Sequence, residues 1–270
     1  DAPALKHSDI GLAMGITGTA VSKEASEMVL LDDNFATIVA AVEEGRGVFD
    51  NLRKFLTYIL TSNIPEVVPY LAFALLRIPL PLTVIQILAV DLGTDMLPAL
   101  ALGAEPPHAG AMEQAPRPRG ERLLSWGLLA RAYLWLGLLE AGIAMAAFFL
   151  VLHGAGWQYG EALAPGDPAY MAATGACLAG IVVAQMTNVF LCRHPRQSLF
   201  AFGFFANRLL LGGLALELAL LLAILYTPWG NVLFGTAPPP PAVWFLAGGL
   251  ALVMGMLEEG RKALQRSRGA

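Results

Sequence analysis

Six apolar runs, each long enough to cross a bilayer, constrain this chain more than anything else in it. They cover about residues 55–76, 80–102, 124–152, 170–192, 207–227 and 241–257. A helical span needs roughly 20 residues, and lipid offers backbone N–H and C=O groups no partner, so each run must close its own hydrogen bonds as a helix. Proline-rich or polar breaks separate them: "RIPLP", "EPPHAGAMEQAPRPRGE", "HGAGWQYGEALAPGDP", "RHPRQS" and "TPWGNVLFGTAPPPP". Only 14% of residues are charged and 56% are hydrophobic, against about 25% charged in a soluble domain. The mean hydropathy is +0.60. The fold class expected is mainly α, a six-helix transmembrane bundle, with the lipid bilayer as its first partner. The net charge of −4 is small, and no nucleic-acid partner is expected.

Basic residues set the expected orientation. Arg117, Arg119 and Arg122 lie between the second and third runs, and Arg193, Arg196 and Arg208 bracket the join of the fourth and fifth. Arg261, Lys262, Arg266 and Arg268 follow the sixth, whereas the alternate joins carry only Arg77. Lys and Arg favour the cytoplasmic side, so a multi-pass protein of the cell membrane with both ends of this chain in the cytoplasm is predicted. The chain starts at Asp1 without a basic stretch followed by a short apolar one, so no signal peptide is expected, and a longer parent polypeptide is. Cys177 and Cys192 have no metal or redox spacing and read as apolar fillers. The tryptophans stand mostly near run ends, as in an aromatic belt.

Residues 1–50 read differently. "DIGLAMG" and "MVLLDD" are short buried-type strands, and "TAVSKEASE" is a small helix that Thr19 can cap. Asn34 is a plausible N-cap for a helix starting at Phe35. Apolar residues at 35, 38, 39, 42, 48, 49, 52, 55 and 56 keep close to helical spacing, and no proline intervenes before Pro65. One long helix is predicted from an α/β unit into the first span, able to carry motion between them. Gly45 and Gly47 weaken it locally, and the alternative is a surface helix with a loop at Gly45–Gly47. The expected division is 1–34 cytoplasmic α/β piece, 35–54 stalk helix, 55–257 transmembrane cation-transport domain and 258–270 basic tail.

The polar residues inside the runs carry the functional reading. Asn63 and Glu66 are three apart and share a helix face. Pro65 leaves the Thr61 carbonyl without its helical donor, and Pro69 does the same for Pro65. In the second run Asp91 and Asp95 are four apart with Thr94 beside them, Pro98 frees the Thr94 carbonyl, and Gly93 lets the backbone unwind. Each aspartate costs roughly 2.5–3.5 kcal/mol at a helix centre, against about −0.5 for leucine. Arg131 is the one cation well inside a run, so the carboxylates have no basic partner there. Carboxylates and freed carbonyls suit a hard cation, and broken helices at mid-membrane are where transporters bind ions. A metal cation or a proton is the expected neighbour of Asp91 and Asp95.

Gln185 and Asn188 are three apart on the fourth run and either face the same cluster or join helices by hydrogen bonds. Glu217 stands alone in "LALELALL" as a candidate carboxylate. Glu140 has no partner legible in the sequence and reads as a protonated or water-facing acid.

These same segments resemble a known family. "DAPALKHSDIGLAMGITGTAVSKEASEMVLLDDNF" is similar to the end of the phosphorylation domain of P-type cation pumps, where a "GDGxNDAPAL" loop precedes "ADIGIAMG". "GRGVFDNLRKFLTYILTSNIPE" resembles the family's stalk and fifth transmembrane helix, and "VDLGTDMLPALALGAEPP" its sixth. The resemblance covers the whole chain. It implies the C-terminal fragment of a haloacid-dehalogenase-like α/β domain, a stalk helix, and helices five to ten of the pump.

Residue by residue, the resemblance makes Asn63 and Glu66, with Ser62 next to them, cation ligands of the fifth helix. It makes Asp91, Thr94 and Asp95 ligands of the sixth. Gln185 falls where reticulum calcium pumps carry a glutamate, Asn188 where the animal sodium pump carries an aspartate, and Glu217 where it carries a carboxylate. Asp1 matches the hinge-loop aspartate beside the catalytic magnesium. No "DKTGT" is present, so the resemblance puts the phosphorylated aspartate, most of the ATP and Mg2+ site and the first four helices in an upstream part of the same polypeptide. Sodium export, with or without potassium return, is favoured over calcium: calcium pumps carry Asn at the place of Asp91, and the gastric proton pump carries a lysine at the place of Ser62. The alternative is a free-standing six-helix secondary cation carrier, which has no use for a truncated α/β unit.

Overall fold

The computed structural model describes residues 2–108, 110–118, 120–201 and 203–268. Asp1, Arg119 and the side chain of Arg268, each used above, lie outside the described residues. The chain divides into two compact units, residues 1–50 with 106–121, and residues 51–105 with 122–270.

In the first unit, strand β1 (Leu12–Met14) pairs in parallel with β2 (Met28–Leu30), Leu12 opposite Met28. A short helix, Ala20–Glu24, connects them, and Thr19 caps it by accepting from the Ser22 amide. Both strands and the cap fall where the sequence puts them. The turn after β2 is held by Asp33, whose backbone is left-handed at φ 52°. Its carboxylate accepts from the Ile16 amide at 2.9 Å, the Thr17 amide at 2.8 Å and the Thr17 hydroxyl at 2.7 Å. Those donors pull the Asp33 carboxyl down to about 2. In the 106–121 segment, Arg117 reaches Asp50 at 2.6 Å and lies 4.1 Å over the Phe49 ring.

Asn34 accepts from the Ala36 amide at 3.0 Å and opens a helix that runs unbroken from Ala36 to Leu76. It passes through Gly45 and Gly47 without a loop, and Pro65 and Pro69 lie inside it. The continuous helix is therefore the correct one of the two readings.

Among the described residues six helices are long and apolar enough to cross a membrane: Ala36–Leu76, Val84–Gly103, Trp126–Gly154, Pro168–Cys192, Arg208–Tyr226 and Pro241–Ser267. These are spans one to six below. Side-chain oxygens start several of them: Ser125 accepts from the Leu128 amide, Asp167 from Ala169 and Tyr170, and Asn207 from Leu210. A further short helix, Pro228–Phe234, occupies part of the break before span six.

Three features depart from the sequence reading. Span two does not unwind at Gly93; it widens into a π-helical turn over Val90–Thr94, with the Asp95 amide donating to the Val90 carbonyl five residues back. Span three carries a second π segment, Ala130–Gly137. Both keep the backbone bonded, which lipid demands. Lastly, residues 258–268 are not a separate tail but the last turns of the Pro241–Arg268 helix, because Glu258 and Lys262 on it are fully buried.

Span four is the centre of the bundle: Ala173, Ala176, Cys177, Ala179, Gly180 and Ala184 are all buried on it. At Gly180 a Cβ atom would stand 2.9 Å from the Cα of Ala144, so spans three and four touch backbone to backbone, as small residues permit in lipid. At Gly137 a Cβ would come within 2.7 Å of Ile64, which sets span three equally close to span one. Both cysteines are buried fillers without a disulfide. Trp126 and Trp229 are exposed as a belt requires, whereas Trp157 is buried and Trp135 bonds to Glu258 at 3.0 Å.

Candidate functional site

Most of the polar residues singled out in spans one and two gather around Asp95. Its side chain is buried, 1% exposed, and accepts from the Gln185 amide at 3.1 Å, with the Tyr58 hydroxyl at 3.5 Å. Ser62 and Thr94 stand beside it. Glu66 is buried and adjacent to Asp91, which is half-buried. Asn63 is half-buried, and among the described residues no hydrogen bond ties its side chain to the others. The hydroxyls of Thr61, Ser62 and Thr94 each donate to a carbonyl of their own helix, at 2.7, 2.9 and 3.1 Å. Their oxygen lone pairs are thus left as acceptors, the polarity a cation takes. The π turn adds to this, since it reshapes the helix at Asp91 and Thr94, and such turns recur at functional sites.

The buried acidic residues are not confined to two helices. Glu140 on span three and Glu217 on span five are 0% and 1% exposed. They lie within electrostatic reach of Asp95 and of each other. Gln185 and Asn188 on span four are likewise buried, and Asn188 lies beside Glu140. Nine buried side-chain N or O atoms among the described residues have no hydrogen-bond partner, and seven belong to Glu66, Glu140, Gln185, Asn188 and Glu217. Buried polar groups are ordinarily paired, so this concentration marks one region of the molecule. Among the described residues no three His, Cys, Asp or Glu side chains gather tightly enough to hold a metal by themselves. The carboxylates are spread among amides and hydroxyls instead.

Tyr58 was legible in principle: it precedes Ser62 by four residues and Glu66 by eight, the spacing of one helix face. Glu140 was not, because its neighbours all come from other spans.

At one end of the bundle acids are buried with partners. Glu258 accepts from Arg131 at 2.8 Å and from Arg261 at 2.7 Å, besides Trp135. Lys262 donates to the Leu191 carbonyl at 3.1 Å. Glu105 accepts from Lys54 at 2.8 Å, Arg193 at 2.7 Å and Asn207 at 3.3 Å. Arg131, the cation inside a span, is therefore committed to Glu258 and not to Asp91 or Asp95.

Comparison with known proteins shows the family. The family described as "Cation transporting ATPase, C-terminus" matches residues 79–264. The sodium/potassium-transporting ATPase subunit alpha of Tetronarce californica is 37% identical over 98% of this chain. Subunit alpha-4 of Rattus norvegicus is 39% identical over 99% of it, and subunit alpha-3 of Gallus gallus 38% over 98%. The chain spans 28% of the length of the first two of these relatives and 29% of the third. The chain belongs to the P-type cation-transporting ATPases and corresponds to their C-terminal, membrane-spanning part.

Proposed function

We propose that this chain is the cation-translocating part of an ATP-driven pump, binding its ions in mid-membrane between spans one and two. Glu66, Asp91 and Asp95 supply charge, Asn63, Thr94 and Ser62 supply neutral oxygens, and Gln185, Asn188 and Glu217 approach from spans four and five. The observation that carries the reading is the concentration of unpartnered buried oxygens and amides on the spans around Asp95, which itself follows a π turn. Such groups are stable in a low-dielectric interior only with a partner, and a transported cation is one that comes and goes.

Sodium is the ion favoured, with potassium return as a second leg. The relatives matched are named as sodium/potassium-transporting, Asp91 keeps a charge where calcium pumps have an amide, and the amide and hydroxyl share of the donor set suits a monovalent ion. A secondary carrier is not favoured, since the relatives are ATPases. ATP and Mg2+ are held mainly by an upstream part of the same polypeptide, where the phosphorylated aspartate lies. Asp1 belongs to the magnesium loop, and residues 1–34 to a haloacid-dehalogenase-like domain. Both ends of the chain face the cytoplasm. A cysteine at Ala162, an exposed residue between spans three and four, is then labelled only from outside the cell. The chain by itself hydrolyses no ATP.

The deciding experiment is ATPase activity of the full-length pump against sodium, potassium and calcium in turn. Sodium stimulation, raised further by potassium, is expected. Stimulation by micromolar calcium without a response to sodium overturns the choice of ion, and magnesium-dependent ATP turnover by this chain alone overturns the division of roles.

A further inference from the structure

We infer that Glu140 on span three is a cation-ligating carboxylate of the transport site, holding an alkali-metal ion together with side chains of spans four and five. The inference rests on the reading of spans one and two as an ion site and extends that site inward. Glu140 is completely buried and neither carboxylate oxygen has a hydrogen-bond partner among the described residues. A carboxylate left so is far costlier than a neutral polar group. Nothing basic answers it from its own span, because Arg131 is bonded to Glu258 and to the Leu191 carbonyl.

What surrounds Glu140 has the chemistry of an ion shell. Asn188 lies beside it and presents its Nδ2, since its Oδ1 accepts from the Cys192 thiol at 3.3 Å, so its part is to orient the Glu140 carboxyl. Gln185 gives its amide N–H to Asp95, and its Oε1 has no partner. Glu217 faces the same region with both oxygens unpartnered. Tyr58, Asp95 and Glu66 close it from spans one and two. The Gly137–Ile64 approach, one turn before Glu140, presses this part of span three against span one close to Ser62 and Asn63. The π segment ending at Gly137 sets the helix face that Glu140 occupies. Carboxylates and amide oxygens are hard donors. Drawn from three spans, Glu140 and Glu217 supply charge and Gln185 supplies a neutral oxygen, a set of hard donors for the alkali-metal ion of the proposed function.

The test uses the purified full-length pump. Equilibrium binding of sodium, and of rubidium as a potassium probe, is measured alongside the sodium dependence of phosphorylation from ATP, for Glu140→Gln, Glu66→Gln and the unmodified pump. Glu140→Gln is expected to raise half-saturating sodium at least tenfold, or to remove one bound ion per phosphorylation site. Unchanged binding curves and stoichiometry in Glu140→Gln, with a shift in Glu66→Gln, overturn the role of Glu140 alone. No shift in either variant overturns the ion site itself. Should Glu140→Gln fail to accumulate, Glu140→Asp keeps the charge and is read by melting temperature with and without sodium. A smaller sodium-dependent rise than in the unmodified pump supports ligation. A lower baseline with the same rise means a packing role and overturns the inference.

Discussion

Glu105 and Glu258 at one end of the bundle, and Glu140 and Glu217 in its middle, are all buried at 9% exposure or less. They differ only in company. Arginines, a lysine, an asparagine and a tryptophan saturate the first pair, while both oxygens of each of the second pair have no hydrogen-bond partner among the described residues. Burial by itself is therefore no sign of function in this protein. A buried acid with its partner built into the chain fastens helices together, and one without it is where the ion proposed above would find its ligands.

That contrast can be broken most forcefully at Arg131. Arg131→Leu takes one of the two arginines from fully buried Glu258, and removing one member of a buried pair costs about 3–5 kcal/mol. Thermal unfolding of the solubilised pump should show a loss near the lower figure, since Arg261 remains, and the double variant Arg131→Leu/Glu258→Leu should recover most of it. A single variant as stable as the parent would mean that the pair fastens nothing. Asp95→Asn should behave in the opposite way. The fold is retained and half-saturating sodium for phosphorylation rises tenfold or more, equivalent to about 1.4 kcal/mol of binding. Unchanged ion dependence removes Asp95 from the site. Asp91→Asn should shift the same curve less, because Asp91 is half-buried where Asp95 is enclosed; an equal or larger shift would reverse their order.

The smallest effect is at Asp33, a half-buried acid satisfied by three donors. Its folded-state carboxyl, near 2, lies below the ordinary value of 3.8. The stability it contributes is thus fully present above about pH 4 and is lost as pH falls through about 2. Amide exchange at Ile16 and Thr17 should quicken over that window, and quickening centred near pH 4 would mean that the donors do not hold the carboxylate.

The apolar spans, the Thr19 cap, the strand pair and the long first helix were legible because each is written in local pattern: length, alternation and side-chain acceptors at helix starts. The π turns were not, since Gly93 and Pro98 announce an irregularity without saying whether the backbone unwinds or widens. Glu258 and Lys262 looked like a solvated tail because the partners that bury them, Arg131, Trp135 and the Leu191 carbonyl, lie more than 60 residues away. Asp91 and Asp95 stood out because two acids on one face are improbable in lipid. Glu140, a single acid, carries no spacing signal, and only the assembly of five spans gives it neighbours.

The Gly180–Ala144 crossing has a mechanical consequence. Two helices locked backbone to backbone slide past each other poorly, because any shift drives Cα atoms into one another before side chains can adjust. The crossing therefore holds Gln185 and Asn188 on a stiff wall, and it ties Glu140, which follows the π segment of span three, to that wall one turn later at Ala144. Glu66 and Asp95 ride on helices softened by two prolines and a surplus-residue turn. A pocket with one unyielding side and one compliant side changes its width by movement of the compliant side, so in the ion site proposed above spans one and two are the moving jaw and spans three and four the fixed one.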